Sequence, residues 1–266
     1  MNRMNLASQP AGAMLETLAD IACAAGRAIL AVRESGMRPG VKADLSPVTE
    51  ADRAAENLIL ARLSEAWPDI PVIAEEAASA GVLPAAGDRF FLVDPLDGTK
   101  EFIRGEDGFT VNIALVQSGE PILGVVLAPA KDALYGGEKD KGAWRVDLDG
   151  GRLPGARTPI STRVAAQPPC AVASLSHRDS ETDAFLARHG ITDVVGIGSS
   201  LKFCLVAEGQ ADIYPRFGPT MEWDTAAGHA VLRAAGGSVT GLDGAPFVYG
   251  KASAGYRNGG FIARGR

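Results

Sequence analysis

Cysteine is scarce in this chain, and so is histidine. The 266 residues include three cysteines and three histidines. The cysteines (Cys23, Cys170 and Cys204) are odd in number, far apart, and form no Cys-x-x-Cys pair. This pattern argues against a disulfide framework and against a zinc site. No cysteine or histidine cluster therefore competes with carboxylates as a place for a metal ion.

Positive charge is also in deficit. Lysine and arginine total 26 against 32 aspartates and glutamates, for a formal net charge of −6. A groove for the backbone of a nucleic-acid polymer needs a basic surplus, so that class of partner is disfavoured. An acidic protein can still bind a phosphorylated small molecule, but it must do so with metal ions or a few local cations.

Long apolar runs are missing too. The segment Met1–Pro10 is polar and lacks the apolar core of a signal peptide. The apolar-rich segment Ala13–Val32 is interrupted by Glu16, Asp20 and Arg27, which indicates an amphipathic helix rather than a membrane span. We expect a cytoplasmic protein without a transmembrane segment. Peripheral association with the cytoplasmic face of the inner membrane stays open, as does the choice between monomer and homodimer.

Hydrophobic residues make up 46% of the chain and charged residues 22%, enough for a large core in one domain or two closely packed ones. The first half, 1–150, mixes helical and strand periods and predicts an α+β metal-binding half. The second half, 151–266, alternates strand and helix and predicts an α/β half that completes the active site and substrate pocket. The Gly- and Pro-rich segment Asp147–Thr162 is expected to be either the joint between them or a surface excursion.

The periodicity also sets element bounds. The predicted helices are Gly12–Glu34, Thr49–Trp67, Ser180–His189, Ser200–Glu208 and Thr225–Ala235, with Asp52 capping the second and Asp224 the last. The strands predicted in the first half are Pro71–Ala74, Arg89–Val93, Thr110–Gln117, Pro121–Ala128, Leu134–Gly136 and Ala143–Val146. Those predicted in the second half are Cys170–Ser174, Asp193–Gly196, Asp212–Tyr214 and Ser238–Thr240.

The densest chemistry lies in the segment Asp94-Pro-Leu-Asp-Gly-Thr99, directly after a predicted buried strand. Two carboxylates three residues apart can point at one spot, and the carbonyl of Leu96 can join them. Hard oxygen ligands of this kind suit Mg²⁺. The backbone N–H groups of Gly98 and Thr99 can bind a phosphate at a helix start. Taken alone, the segment could equally be a structural Asp-Gly turn.

Two further acidic elements follow apolar stretches. Glu75 and Glu76 end the predicted strand Pro71–Ala74, and Asp224 precedes a helix that starts with small residues. Adjacent surface glutamates or a helix-capping aspartate are the ordinary explanations of these residues. As a set with Asp94 and Asp97, however, they offer enough carboxylates for two divalent ions. Such a pair neutralises the phosphoryl oxygens and acidifies a water in phosphate ester hydrolysis.

In their order along the chain these segments resemble the motifs of the inositol monophosphatase-like superfamily. The resemblance rests on Lys42–Asp52, Glu75-Glu76, Asp94–Thr99 and Trp223–Gly228, and extends from about Val41 to Gly237. It implies a layered α/β/α/β/α sandwich and a Mg²⁺-dependent, lithium-sensitive phosphatase.

The resemblance also implies roles for single residues. Metal binding falls to Glu75, Asp94, Asp97, Asp224 and the Leu96 carbonyl, with two or three Mg²⁺ ions. Catalytic roles fall to Thr99 and Asp52, which orient and deprotonate the attacking water, and to Glu76, which assists a weaker metal. Gly98 and Thr99 are expected to hold the scissile phosphate, and Asp224 to border the substrate.

Within the superfamily the chain is most similar to the CysQ-type 3'(2'),5'-bisphosphate nucleotidases. The similarity rests on Lys100-Glu-Phe102, Gly198–Cys204 and Tyr214-Pro-Arg216. It implies removal of the 3'-phosphate from adenosine 3',5'-bisphosphate, with 3'-phosphoadenylyl sulfate as a plausible second substrate. The second phosphate needs fixed cations of its own. The candidate substrate-binding residues are Lys202, Arg216, Ser199, Ser200 and His177.

Two rival interpretations remain open at the level of sequence. An inositol-1-phosphate or other small-monophosphate phosphatase would use the same metal chemistry but would not need Lys202 with Arg216. A non-catalytic regulator on the same fold could lose Thr99 and Asp52, which are both present.

Overall fold

The computed structural model describes residues 11–36, 40–41, 47–153, 156–174 and 178–266. Residues 42–46, which carry part of the Lys42–Asp52 motif, lie outside the described residues, and so does His177.

Seven α-helices, labelled in chain order, lie in the described part of the chain. They are α1 Ala11–Ser35, α2 Glu50–Ala66, α3 Glu75–Ser79, α4 Thr99–Ile103, α5 Ser180–Arg188, α6 Leu201–Ala207 and α7 Ala226–Ala234. The start of α2 is set by a capping box, in which Thr49 caps the helix and the Asp52 carboxylate accepts a hydrogen bond from the Thr49 N–H. The prediction that Asp52 helps to cap the first turn of this helix is confirmed, although the capping position itself is held by Thr49.

The first sheet has seven strands in the order β3-β4-β5-β6-β7-β8-β9. Their bounds are β3 Val72–Ala74, β4 Arg89–Asp97, β5 Thr110–Gln117, β6 Glu120–Ala128, β7 Ala133–Glu138, β8 Gly142–Asp147 and β9 Thr158–Ile160. Only β3 and β4 pair in parallel; the other neighbours are antiparallel. The predicted hairpin between β5 and β6 is confirmed, and its turn residues Ser118 and Gly119 both have positive φ.

The second sheet has five strands in the order β11-β10-β12-β16-β14. Their bounds are β10 Ala171–Ser174, β11 Val194–Ile197, β12 Ile213–Arg216, β14 Ser238–Gly241 and β16 Phe261–Arg264. Strand β10 pairs in parallel with both β11 and β12, which the predicted strand–helix alternation requires. Two short ribbons pair β1 (Gly40–Val41) with β2 (Pro47–Val48), and β13 (Thr220–Met221) with β15 (Arg257–Asn258).

These elements stack as five layers. Helices α1 and α2 cover one face of the first sheet, α6 and α7 fill the space between the two sheets, and α5 contacts β12 on the second. Strand β4 is apolar on both faces for this reason: Phe91 and Val93 face the core under α1 and α2, while Phe90 and Leu92 face the core between the sheets. The layered α/β/α/β/α sandwich is the predicted architecture.

Close approach of α7 to the first sheet depends on small residues. An added Cβ at Gly124 of β6 would lie 2.9 Å from the Cα of Ala227, and one at Gly137 of β7 would lie 2.7 Å from the Cα of Val231. The small residues at the start of α7 therefore bring Asp224, just before it, close to the end of β4.

One feature of this fold differs from the predictions. The segment Asp147–Thr162, expected to be a domain joint or a surface excursion, contains β9, which extends the first sheet past residue 150. Glu75 and Glu76 directly follow β3, as predicted, and they also open the helix α3. The division of the chain into halves at residue 150 stays a prediction. Among the helices of the described residues, none is long and apolar enough to cross a membrane.

Candidate active site

A single large cavity of about 810 Å³ collects most of the residues that the sequence singled out. The predicted metal ligands that line it are Glu75, Asp94, Leu96, Asp97 and Asp224. The predicted substrate-binding residues that line it are Gly98, Thr99, Ser199, Lys202 and Arg216. Residues more than a hundred positions apart in sequence thus border one space.

The Asp94–Asp97 segment is the end of strand β4 rather than a turn after it. Asp94 still pairs with Asn112 of β5, and the register shifts between Asp94 and Asp97. This bulge at the sheet edge bends the strand, as bulges do beside many active sites. The Oδ1 atom of Asp94 accepts a hydrogen bond from the Leu96 N–H at 3.0 Å, which holds the irregular segment in place.

Gly98 follows the bulge in a left-handed conformation, with φ +95°. An added Cβ would lie 3.0 Å from the carbonyl oxygen of Gly108 and 3.2 Å from the Cα of Phe109. Only glycine fits this backbone without strain. The chain can therefore turn directly from the carboxylates of β4 into α4, which begins at Thr99.

Helix α3 carries Glu75 and Glu76 in its first turn and is capped from a distant helix. The two carboxylate oxygens of Glu56, on α2, accept hydrogen bonds from the N–H groups of Glu76 and Ala77, each at 2.8 Å. Glu56 is buried, and burial raises its pKa to about 7. Glu75 lines the cavity, whereas Glu76 is not among the lining residues.

Asp224 does not cap helix α7, contrary to the prediction. The capping position is held by Thr225, whose side chain makes no capping hydrogen bond. The Oδ2 atom of Asp224 instead accepts a hydrogen bond from the N–H of Met221 at 2.8 Å. The carboxylate is thereby held against β13, at the edge of the cavity, rather than folded back onto its own helix.

The acidic side chains are crowded enough to disturb one another's protonation. Burial, followed by the negative charges of Glu75, Asp97 and Asp224, raises the pKa of Asp94 well above its usual range. Burial and the charge of Asp97 raise the pKa of Asp224 to about 8, and burial also raises the pKa of Asp97. Carboxylates packed this closely need a compensating cation when all are ionised.

The donor set fits Mg²⁺. It consists of carboxylate oxygens and the Leu96 carbonyl, the hard ligands that this ion prefers. Within the described residues, no three acidic, histidine or cysteine side chains form a ready-made cluster for one ion. Mg²⁺ commonly takes only one or two carboxylates and completes its shell with water and substrate phosphate.

Thr99 and Asp52 are brought together from positions 47 apart in sequence. The hydroxyl oxygen of Thr99 lies 3.0 Å from Asp52 Oδ1 and 3.1 Å from the Leu96 carbonyl oxygen. The other carboxylate oxygen of Asp52 accepts hydrogen bonds from the Thr49 N–H at 2.7 Å and the Thr49 hydroxyl at 2.6 Å. Asp52 is fully buried, so this network holds Thr99 in one orientation.

Lys202 is buried, not a solvated helix lysine. Its Nζ donates to the carbonyl of Ser199 at 2.5 Å, approaches that of Ile197 at 3.4 Å, and lies over the ring of Tyr214. Burial lowers its pKa to about 8. Ser199 has φ +54°, an uncommon conformation for a residue with a side chain, and Lys202 stabilises it by binding its carbonyl.

The two predicted serines play different parts. The Ser199 hydroxyl is buried in the cavity wall and has no hydrogen-bond partner within the described residues. The Ser200 hydroxyl lies 2.8 Å from the Asp224 carbonyl and 3.2 Å from Asp97 Oδ2. Ser200 therefore connects two of the acidic segments, whereas Ser199 is available to a ligand.

Arg216 ends strand β12 at the cavity wall. Its Nε and Nη2 atoms approach the carbonyls of Gly218 at 3.4 Å and Pro219 at 3.0 Å, so part of its guanidinium is engaged by its own loop. His177 lies outside the described residues, so its place in the site stays a prediction.

Sequence reasoning missed several residues that shape this site. Glu222 is fully buried and accepts hydrogen bonds from the N–H groups of Gly250 and Lys251 at 2.7 and 2.9 Å. Of these residues, only Glu56 could have been identified from the sequence, because it lies one helical turn after Asp52 on the same face of α2. The hydrogen-bond partners of Glu222 are almost thirty residues away, and no local sequence pattern predicts them.

The model of the inositol monophosphatase family matches residues 14–263. The 3'(2'),5'-bisphosphate nucleotidase CysQ of Escherichia coli K12 is 48% identical over 238 residues, covering 89% of this chain and 94% of that protein.

Two solved structures resemble the whole fold. The crystal structure of CysQ from Bacteroides thetaiotaomicron is 39% identical and covers 95% of this chain and 97% of its own, with a TM-score of 0.78. An inositol monophosphatase from Anabaena (Nostoc) sp. PCC 7120 is 26% identical, covering 95% and 90% of the two chains, with a TM-score of 0.71.

Proposed function

This chain belongs to the inositol monophosphatase family, and from that premise we propose that it is a 3'(2'),5'-bisphosphate nucleotidase. The reaction is hydrolysis of adenosine 3',5'-bisphosphate: water adds to the 3'-phosphorus, the bond to the 3'-oxygen breaks, and AMP and phosphate leave. The observation that carries the proposal is one cavity whose lining combines the proposed acidic metal ligands, cationic side chains and Thr99, whose hydroxyl contacts the buried Asp52. The family's enzymes are metal-dependent phosphatases, typically inhibited by lithium.

Two or three Mg²⁺ ions would be held by Glu75, Asp94, Asp97, Asp224 and the Leu96 carbonyl, with Glu76 supporting the weakest. Bound Mg²⁺ supplies positive charge for the phosphoryl oxygens and lowers the pKa of a water. The carboxylates hold their places without the ions through the hydrogen bonds from Leu96 to Asp94, from Met221 to Asp224 and from Ser200 to Asp97.

Thr99 and Asp52 orient the attacking water. Because the Leu96 carbonyl is a proposed metal ligand, the Thr99 hydroxyl would then donate its hydrogen bond to Asp52 Oδ1, 3.0 Å away. A lone pair of the hydroxyl oxygen then accepts a hydrogen bond from the water and directs the water's own lone pair at the phosphorus. Asp52 keeps this orientation because both of its oxygens already accept fixed hydrogen bonds.

The remaining predicted residues recognise the substrate. The N–H groups of Gly98 and Thr99 bind the scissile phosphate, and Asp224 borders the substrate in the same cavity. The unpartnered hydroxyl of Ser199 donates to a phosphate or ribose oxygen. Lys202 and Arg216 contribute positive charge toward the second phosphate. Ser200 supports the site through its hydrogen bonds to Asp97 and to the Asp224 carbonyl, and His177 contacts the nucleotide. The sulfated analogue, 3'-phosphoadenylyl sulfate, fits the same scheme as a second substrate.

An inositol-1-phosphate or other small-monophosphate phosphatase is the alternative, because the acidic end of the cavity would serve either substrate. What favours the nucleotide is the identity to CysQ proteins: 48% for the Escherichia coli relative, against 26% for the inositol monophosphatase structure.

The test is release of phosphate, with Mg²⁺, from adenosine 3',5'-bisphosphate and from inositol 1-phosphate side by side. We expect a strong preference for the nucleotide, loss of activity with EDTA, and inhibition by lithium. Preference for inositol phosphate would contradict the substrate assignment alone, and release from neither would contradict the proposed hydrolase activity.

A further inference from the structure

The cavity is lined by four cationic side chains, and they are not equivalent. Lys202 and Arg216 already donate to carbonyl groups of their own loops. Lys100 and Arg257 line the same cavity and are exposed, and their side chains form no hydrogen bond or ion pair with another of the described residues. A cation without a protein partner is the one that can bind a ligand anion without breaking an existing interaction.

Lys100 is held beside the catalytic segment. It follows Thr99 in helix α4, whose first turn is closed by a hydrogen bond from the Phe102 N–H to the Gly98 carbonyl at 2.9 Å. The backbone that carries Lys100 is thus fixed by the same turn that positions Thr99, while its side chain extends into solvent at the cavity.

Arg257 is carried by an equally ordered part of the chain. It lies in β15, opposite Met221 of β13, the residue whose N–H holds Asp224. Its neighbour Asn258 is buried and donates to the Met221 carbonyl at 3.2 Å and to the Thr225 hydroxyl at 3.0 Å. The Arg257 backbone is therefore anchored on the segment that holds Asp224.

We propose that Lys100 and Arg257 bind the second, non-scissile phosphate of the substrate. This rests on the proposed nucleotidase function and deepens it. The acidic end of the cavity, with its metal ions, neutralises only the phosphate that is cleaved. A 5'-phosphate on the same nucleotide carries its own charge to the region outside the metal ligands. Arginine can hold such a group with two parallel hydrogen bonds, and lysine adds a point charge.

Selectivity between two adenosine phosphates tests this assignment. Adenosine 3',5'-bisphosphate and adenosine 3'-phosphate share the scissile group and the base and differ only in the second phosphate. We expect Lys100→Ala and Arg257→Ala each to lower the ratio of their kcat/KM values about tenfold, and the double variant more, mainly through KM for the bisphosphate. Lys100→Arg should keep most of the preference.

Arg104→Ala is the matched control, because Arg104 is an exposed cation at the end of the same helix α4 and does not line the cavity. It should leave the ratio as in the wild type. Thermal unfolding of each variant checks that the fold is kept.

Binding of the product gives a second readout that does not depend on turnover. AMP retains the 5'-phosphate, so its Kd measured by calorimetry should rise about tenfold in each alanine variant. The inference is overturned if neither variant changes the ratio or the Kd. It is also overturned if both substrates weaken equally, since the two cations would then act at the scissile phosphate. If the wild type itself cleaves no bisphosphate, the proposed function is wrong. This outcome is distinct from failure of the present inference, because it is measured on the wild type and not on the variants.

Discussion

The two ends of the cavity are built in different ways. At the acidic end, Asp94, Asp97, Gly98 and Thr99 come from one stretch of six residues that the bulge in β4 and the tight turn after it hold together. At the cationic end, Lys100, Lys202, Arg216 and Arg257 come from four segments spread over more than 150 positions. Two of the four carboxylates proposed to bind metal thus lie in one local segment and the fold adds Glu75 and Asp224, whereas every cation comes from a different segment.

This difference has a consequence for substitutions. Changes at the acidic end should impair hydrolysis of every phosphate ester, because each one needs the same metals and the same water. Changes at the cationic end should alter which ester is preferred. The comparison fails if an acidic-end variant changes selectivity without changing the rate.

Asp94→Asn should have the largest effect. The substitution removes a metal ligand and its charge, and we expect kcat/KM for all substrates to fall by more than about 10³-fold, beyond the 10–100-fold loss usual for residues behind the ligands. The same variant should unfold at a higher temperature than the wild type without metal, because it removes a buried carboxylate that three neighbouring acids oppose. Full activity would contradict the metal-site assignment.

Thr99→Ala should come next. Without its hydroxyl the attacking water loses its orienting acceptor, so kcat should fall about 10²-fold or more, equally for nucleotide and inositol substrates. Thr99→Ser keeps the hydroxyl and should recover most of the rate. If alanine and serine behave alike, the hydroxyl takes no part in the reaction and the pairing with Asp52 is only structural.

Glu56→Gln should have a smaller and more specific effect. A glutamine can accept one of the two hydrogen bonds that hold the start of α3 but not both, so Glu75 would be less well placed. We expect the Mg²⁺ concentration for half-maximal activity to rise about tenfold, with kcat largely recovered at saturating Mg²⁺. Glu65→Gln, at an exposed position of the same helix, is the control. An unchanged Mg²⁺ requirement would show that the cap does not serve the metal site.

Stability of the metal-free protein should show the smallest effect, as a dependence on pH. Asp94 and Asp224 have folded-state pKa values above their unfolded values, with Asp224 at about 8. At pH values between the unfolded and the folded pKa, the folded protein therefore binds more protons than the unfolded chain. Their contribution to stability is greatest at low pH and is lost as pH rises. We expect the Tm without metal to fall by several degrees from pH 5 to pH 8.

Added Mg²⁺ should reverse that fall, most strongly at pH 8, where the carboxylates are ionised. Asp224→Asn should flatten the pH dependence. A metal-free Tm that rises over the same pH range would contradict the crowding of the acidic end.

Much of the fold follows from sequence because its elements have clear periods. The β5–β6 hairpin, the start of α2 and the alternation of the second half were predicted from local patterns, and the layered sandwich from the family resemblance. Strand β9 was missed because its three residues lie in a Gly- and Pro-rich segment and pair only through β8. The cap expected of Asp224 was wrong, because its carboxylate accepts a hydrogen bond from the N–H of Met221, three residues earlier, instead of from the helix that follows.

The sequence by itself determined the spacing of Asp94 and Asp97, two of the carboxylates that we propose as metal ligands. Asp94 and Asp97 are three residues apart, and the geometry of a strand end and a glycine turn suffices to bring them to one point. The tertiary structure alone decided which cations are free to meet the substrate. Lys202 is buried against carbonyls, whereas Lys100 and Arg257 are exposed at the cavity. The physical reason is that the burial and hydrogen-bond partners of a long charged side chain depend on segments far away in the chain.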